Sequence, residues 1–235
     1  MNILAIDSSD QVLSVALSAE TGVWYTEIDA GTRHSELLID NTDWLLKNAE
    51  LRPIDLNMVA CMKGPGSFTG LRIAFSAAKG LAMALKIPLI TVPTLDCLAY
   101  PLSIWPGIVI PVIDAKKGCF FTAIYRHGEK TGDDIDASPL TIISEISKSR
   151  LSPEEPVILT GPGAQLLFSS LTLNNVPLLS LDPDFRKGGA RELLKIIKNS
   201  KLMLVDDLNS GPVYLRKSDA ELNAEAKTKY DENAE

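Results

Sequence analysis

A short apolar run that stops at an aspartate occurs twice in this chain: "NILAIDSS" reaches Asp7 and "IVIPVIDAKKG" reaches Asp114. Behind each aspartate come a turn and a second strand-like stretch, "VLSVALSAE" in the first case and "CFFTAIYRHGEK" in the second. Val12, Ser14 and Ala16 alternate with Leu13, Val15 and Leu17, which is the two-residue period of a strand with distinct faces. Each aspartate is therefore expected at the tip of the first strand of a hairpin. The repetition predicts one ancient duplication; there is no short repeat of solenoid type.

Between and after these hairpins the pattern fills two similar halves. A third strand near "VWYTEI" precedes helical spacing at Leu37, Leu38, Trp44, Leu45 and Ala49, with Ser35 or a near neighbour expected as the cap. Next come the strand "MVACM", a glycine-rich turn feeding a helix in "KGPGSFTGLRIAFSAAKGLAMAL", and the strand "PLITV". The order of this half is β-β-β-α-β-α-β. In the second half helices are expected over 140–149 and 164–170, strands at "PVILT" and "VPLLS", and a last helix in "GGARELLKIIKNS". The prolines and glycine of "YPLSIWPG" mark the joint, so the expected units are 1–103, 104–217 and a polar acidic tail over 218–235.

The composition narrows the class. A hydrophobic share of 46% over 235 residues supplies a sizeable core. A net charge of -7 argues against a protein that grips nucleic acid unaided, because phosphate contacts need clustered Lys and Arg. Cys61, Cys97 and Cys119 are widely spaced and fit a reducing compartment. The start "MNILAIDSSD" lacks the basic segment of a secretory leader, and no uncharged apolar stretch reaches the ~18 residues of a membrane span; a cytoplasmic location is expected.

Two β-β-β-α-β-α units with an aspartate at each first strand resemble the RNase H-like subdomains of the actin, Hsp70 and sugar-kinase (ASKHA) superfamily, an α/β fold. In that superfamily the two aspartate turns approach a nucleotide from either side, and a later glycine loop touches its adenosine. The resemblance makes Asp7, Ser8, Asp114, Lys116, Gly161 and Gly163 the candidate cofactor-binding residues. Two departures stand out: Ser9 occupies a position usually held by glycine, and Ala115, Lys116 and Lys117 precede Gly118 in the second turn. A structural use of both aspartates at turn tips stands beside the nucleotide reading.

The loop "KGPGSFTG" fails the known phosphate patterns. Five residues after Gly64 stand Thr69 and Gly70 where a P-loop needs Gly and Lys, and a dinucleotide fingerprint needs glycine at Thr69. A nucleophile elbow around Ser67 needs glycine at Pro65. Two readings stay open: a weak anion site at the free amides of the following helix, or a turn shaped by its glycines with Ser67 or Thr69 as cap. His34 and His127 lie in different halves, and a helical His-x-x-x-His pair meets Leu38. No residue is expected to be catalytic or to bind metal.

The segments "ILAIDSS", "HSELL", "GPGSFTGLRI", "IDAKKG" and "PVYLR" together resemble the bacterial TsaB (YeaZ) family of threonylcarbamoyladenosine biosynthesis. Lys116 departs from the "DAR" common in relatives and loses the guanidinium fork. The resemblance implies a non-catalytic paralogue of TsaD, the enzyme that transfers threonylcarbamoyl to the adenosine beside the anticodon of tRNAs reading codons that begin with A. It implies a heterodimer with TsaD, joined by the ATPase TsaE, with tRNA met through the complex and ATP or ADP only in the assembly. The expected interface is a two-helix face with Leu38, Trp44, Leu45, Leu71, Ala74, Phe75, Ala78, Leu81 and Ala82, and the same face would serve a homodimer when the partner is absent. The alternative is an independent ATP-dependent enzyme of the actin and kinase superfamily.

Overall fold

The structure, a computed structural model, describes residues 1–174, 176–185, 187–199 and 209–216. The tail expected over 218–235 lies outside them. Strand β1 (Ile3–Asp7) pairs antiparallel with β2 (Val12–Ala19) and parallel with β4 (Met58–Met62); β3 (Gly22–Asp29) and β5 (Leu89–Val92) complete a sheet of order β3-β2-β1-β4-β5. Every residue of β1 and β4 is buried, as unbroken apolar runs predict for strands covered on both faces. Leu4 and Ile6 point to helices α1 (His34–Asn48) and α2 (Phe68–Leu85), while Ile3 and Ala5 point to the opposite face.

The second half repeats the plan. Strands β6 (Ile108–Asp114), β7 (Phe120–Thr122), β10 (Ile135–Ala137), β11 (Val157–Thr160) and β12 (Leu179–Leu181) lie in the order β10-β7-β6-β11-β12. A small hairpin of β8 (Tyr125–Arg126) and β9 (Glu129–Lys130) branches from β6, with His127 in its turn. Ile108, Ile110 and Val112 pack under α4 (Pro139–Ser149) and α5 (Ala164–Leu173). Asp7 and Asp114 end equivalent central strands, and the duplicated ASKHA fold is present.

The sequence boundary at 103/104 separates the sheets but not the layers. Helix α3 (Thr94–Ala99), from the first half, packs its Leu95 and Ala99 with Val109 and Ile113 on the second sheet. Its counterpart α6 (Ala190–Asn199) buries Ala190, Leu193, Leu194 and Ile197 on the first sheet. The halves thus exchange their last helices across the boundary expected between 1–103 and 104–217. Residues 209–216 then run back across both: Val213 N–H donates to Lys63 O at 2.8 Å, and Arg216 holds Asp136 through two bonds of 2.6 Å.

Two local expectations also need correction. Helix α1 begins at His34, after Arg33, and no side chain caps it; Arg33 instead pairs with Glu36 at 2.8 Å. Strand β12 begins at Leu179, later than "VPLLS" suggests, because Pro177 has no N–H and Leu178 takes a left-handed φ of 48°. For α2 the cap is Ser67, whose Oγ accepts from Gly70 N–H at 3.2 Å. This helix is long and apolar enough by composition to cross a membrane, yet its buried stripe covers the first sheet and Arg72 and Lys79 interrupt it.

Candidate functional site

The Asp7 turn lies at the bottom of a cleft between the halves. Asp7 is buried, and both carboxylate oxygens are occupied by the protein itself. Oδ1 accepts from Ser9 N–H at 2.9 Å and Ser9 Oγ at 2.7 Å; Oδ2 accepts from Gly189 N–H at 2.7 Å. Ser14 Oγ accepts from the next amide, Ala190 N–H, at 3.1 Å. Two free amides at the start of α6 are thereby capped by side chains of the first sheet, and an anion there has its charge compensated by the helix end.

The glycine-rich loop serves this packing. Ser8 Oγ donates to Gly70 O at 2.7 Å, and Ser67 N–H donates to Ser9 O at 2.6 Å. A Cβ on Gly70 would overlap the carbonyl oxygen of Ser8, so the start of α2 lies backbone against backbone on the aspartate turn. A Cβ on Gly64, at φ 107°, would stand 2.4 Å from Val213 O of the 209–216 segment. Of the two readings open in the sequence, the turn-shaping one accounts for these contacts.

At the second turn Asp114 accepts from Lys116 N–H at 2.8 Å and pairs with Lys116 Nζ at 2.8 Å. That pairing raises the ammonium's affinity for its proton. Lys116, Lys117 and Gly118 all take left-handed φ values of 61°, 56° and 75°. The third nucleotide candidate, Gly161 to Gly163, folds back on β6: Cβ atoms on Gly161 and Gly163 would each stand 2.7 Å from backbone atoms of Val112 and Asp114.

Asp7, Ser9, Asp10, Asp29, Pro162 and Lys187 line a cavity of about 240 Å³, and the Asp114–Lys117 turn lines an adjoining one of about 440 Å³ with Ser67, Thr69 and Arg216. Burial pushes the Asp10 carboxyl above its ordinary range, with the Asp7 and Asp114 charges adding to it. The inner cavity thus carries Asp7, Asp10 and Asp29 beside Lys187, and the adjoining one carries Asp114 beside Lys116, Lys117 and Arg216. Among the described residues no cluster of His, Cys, Asp and Glu has a metal-holding arrangement. Cys97 is buried with its thiol pushed well above the ordinary range by desolvation, which keeps it protonated and unreactive.

A second surface lies between α1 and α2. Ser35, Leu38, Ile39, Phe68, Thr69, Arg72, Ile73, Ser76 and Ala77 line a groove of about 480 Å³. Ile39 in this groove is exposed by 62%, and Trp44 and Met83, on the same two helices outside its lining, are also exposed. The interface residues expected from the sequence need correction here. Leu45, Leu71, Ala74, Phe75, Ala78 and Ala82 are buried in the protein's own core, Leu38 forms the groove floor, Leu81 is half-buried and Trp44 is exposed. The physical reason is the spacing: Ala74, Ala78 and Ala82 repeat every four residues on the side of α2 that rests on the sheet, where small side chains allow close approach. On α2 Arg72, Ser76 and Met83 are exposed, while Ile73 and Ala77, one residue before Ala74 and Ala78, are half-buried at the groove.

Comparison with known proteins places these features in a lineage. The model of the family described as "TsaD: tRNA N6-adenosine threonylcarbamoyltransferase" matches residues 26–181. The chain is 30% identical over 167 residues to the tRNA threonylcarbamoyladenosine biosynthesis protein TsaB of Bacillus subtilis, covering 71% of this chain and 73% of that protein. The TsaB of Buchnera aphidicola subsp. Schizaphis graminum is 38% identical over 168 residues, covering 68% and 78%. Among solved structures, the fold is similar to a Pseudomonas aeruginosa protein described as having similarity to peptidase YEAZ, with TM-score 0.73, 24% identity, and 92% and 99% of the two chains covered.

Proposed function

The chain belongs to the TsaB family and acts in tRNA threonylcarbamoyladenosine biosynthesis; from that premise we propose that it is a non-catalytic, scaffolding and activating subunit that pairs with a TsaD-type transferase. The observation that carries the pairing is the α1–α2 groove, an apolar strip left open beside helices whose other faces already cover the sheet. A partner presenting two equivalent helices would complete a four-helix arrangement across it. Binding the transferase's productive state more tightly than its resting state is the way such a subunit activates.

The cleft supports the non-catalytic part of this reading. Asp7, which in nucleotide-binding relatives of the fold approaches phosphates, has both oxygens engaged by Ser9 and Gly189. With a net charge of -7 the chain meets tRNA through its partner, and a TsaE-type ATPase joins the pair. Any ATP or ADP belongs to the assembled complex, the same groove serves a homodimer when the partner is absent, and the site of action is the cytoplasm.

Size-exclusion chromatography of the purified chain with a TsaD protein tests the pairing. A heterodimer at micromolar concentration is the expected outcome. Two folded proteins that elute separately would refute it.

A further inference from the structure

Arg72 stands at the rim of the α1–α2 groove, exposed to solvent, yet its side chain is fixed. The guanidinium carbon lies 3.8 Å above the ring centroid of Phe68, and Nε donates to Tyr214 Oη at 3.1 Å. The Phe68 and Tyr214 rings pack 4.8 Å apart. Tyr214 is held in turn by the segment that carries it, through Val213 N–H on Lys63 O and Arg216 on Asp136. Arg72 makes no ion pair with any described carboxylate, and no described residue takes the terminal edge of its guanidinium. A planar cation is thus presented, already ordered, beside an apolar surface of an acidic protein.

We propose that Arg72 is the charged anchor of the docking face and takes a carboxylate, an Asp or Glu side chain on a partner helix lying in the groove. The inference rests on the reading that a TsaD-type protein docks there. The guanidinium fork matches a carboxylate through two parallel hydrogen bonds, and groove walls of Phe68 and Ile73 exclude water around it. Because stacking and the Tyr214 bond order the side chain in the free protein, little rotamer freedom remains to be lost on binding. An isolated rim arginine would have that cost still ahead of it. Tyr214 is a positioning residue: it touches no partner group in this scheme and acts by holding Arg72.

Calorimetric titration of the full-length chain with a TsaD protein from the same source, at low salt and at about 0.5 M salt, tests this. Arg72→Ala is expected to weaken the complex by about tenfold or more, as buried interface arginines do. Arg72→Lys should recover only part of that loss, since an ammonium lacks the fork, and Tyr214→Phe should weaken binding by a smaller factor of about three. Raising salt should weaken the wild-type complex more than the Arg72→Ala complex. Because Arg72 is exposed, the melting temperature should stay near the wild-type value. A wild-type complex whose affinity and salt dependence Arg72→Ala leaves unchanged overturns the inference. If Arg72 met an RNA phosphate instead, protein–protein affinity would be intact and only tRNA retention by the complex would fall, which also overturns it. Absence of any wild-type complex would refute the docking reading beneath it.

Discussion

Asp7 Oδ2 accepts a hydrogen bond of 2.7 Å from the backbone amide of Gly189, which enters α6 from the far end of the chain. The aspartate that ends the first strand therefore caps a helix contributed by the second half. Together with Ser14 it fastens α6 onto the first sheet.

Asp7→Ala should act on stability. It removes the acceptor for Gly189 N–H and for Ser9, leaving buried donors unpaired, at a cost of about 2–4 kcal/mol. Urea unfolding followed by circular dichroism would show a lower midpoint at an unchanged slope. Calorimetry with millimolar ATP and magnesium should be flat for the isolated wild-type chain. A wild-type midpoint for Asp7→Ala combined with ATP binding that the substitution abolishes would favour the independent-enzyme alternative.

Two glycines of α2 give opposite expectations. A Cβ at Gly70 overlaps Ser8 O, while a Cβ at Gly80 meets nothing within 4 Å. Gly70→Ala should destabilise by about 3 kcal/mol or more, the range of a backbone clash in a packed site. Gly80→Ala, in an exposed helical position, should stabilise by about 0.5–1 kcal/mol. Denaturation midpoints of the two variants decide it, and equal effects would mean that the turn of Asp7 does not contact the start of α2.

Burial also separates folding from docking on the two helices. Ala78→Arg and Ala74→Arg place a charge at positions exposed by 0% and 1%, and should unfold the chain or leave it insoluble. Ser76→Arg, at an exposed position of the same helix on the groove side, should leave the melting temperature within a few degrees and abolish the heterodimer. Differential scanning fluorimetry beside size exclusion reads both. A folded Ala78→Arg chain would contradict the burial.

Glu155 predicts a limb of the pH profile. Its hydrogen bonds with Arg126 at 2.9 and 3.0 Å hold its carboxyl below the usual range, with Leu151 N–H assisting. A folded pKa below the unfolded one means the folded state binds fewer protons, so the contribution is complete above the unfolded carboxylate value of about 4.3 and is lost as pH falls through the folded value. Glu155→Gln should therefore lower stability near pH 7 and lose less of it on acidification below about pH 4. Parallel urea midpoints for the two chains across that window would count against the pairing.

Much of this was legible in the sequence because it rests on local pattern. Alternation in "VLSVALSAE" and the apolar runs before Asp7 and Asp114 are properties of single strands, and both sheets have the strand order that the duplicated plan requires. Ser67 as a cap is likewise local. The exchange of α3 and α6 is not, because the apolar stripe of "GGARELLKIIKNS" says that a face is buried and nothing about which sheet buries it. The alanines of α2 mislead for a related reason: small residues suit close approach equally to a sheet and to a partner, and only packing assigns Ala74, Ala78 and Ala82 to the first. Arg216 closes the "PVYLR" segment, but its contacts depend on Asp136 and Ala115 being within reach, which the segment does not state.

The most direct test is reconstituted threonylcarbamoyl transfer to tRNA by TsaD and TsaE proteins, supplied with this chain as wild type, Asp114→Asn or Ile39→Arg. Asp114→Asn keeps an acceptor for Lys116 N–H, and Ile39 is an exposed groove residue. The account predicts wild-type rates with Asp114→Asn and loss of activation with Ile39→Arg. Transfer that survives Ile39→Arg and disappears with a folded Asp114→Asn chain would contradict it, placing the function in the cleft and not on the helices.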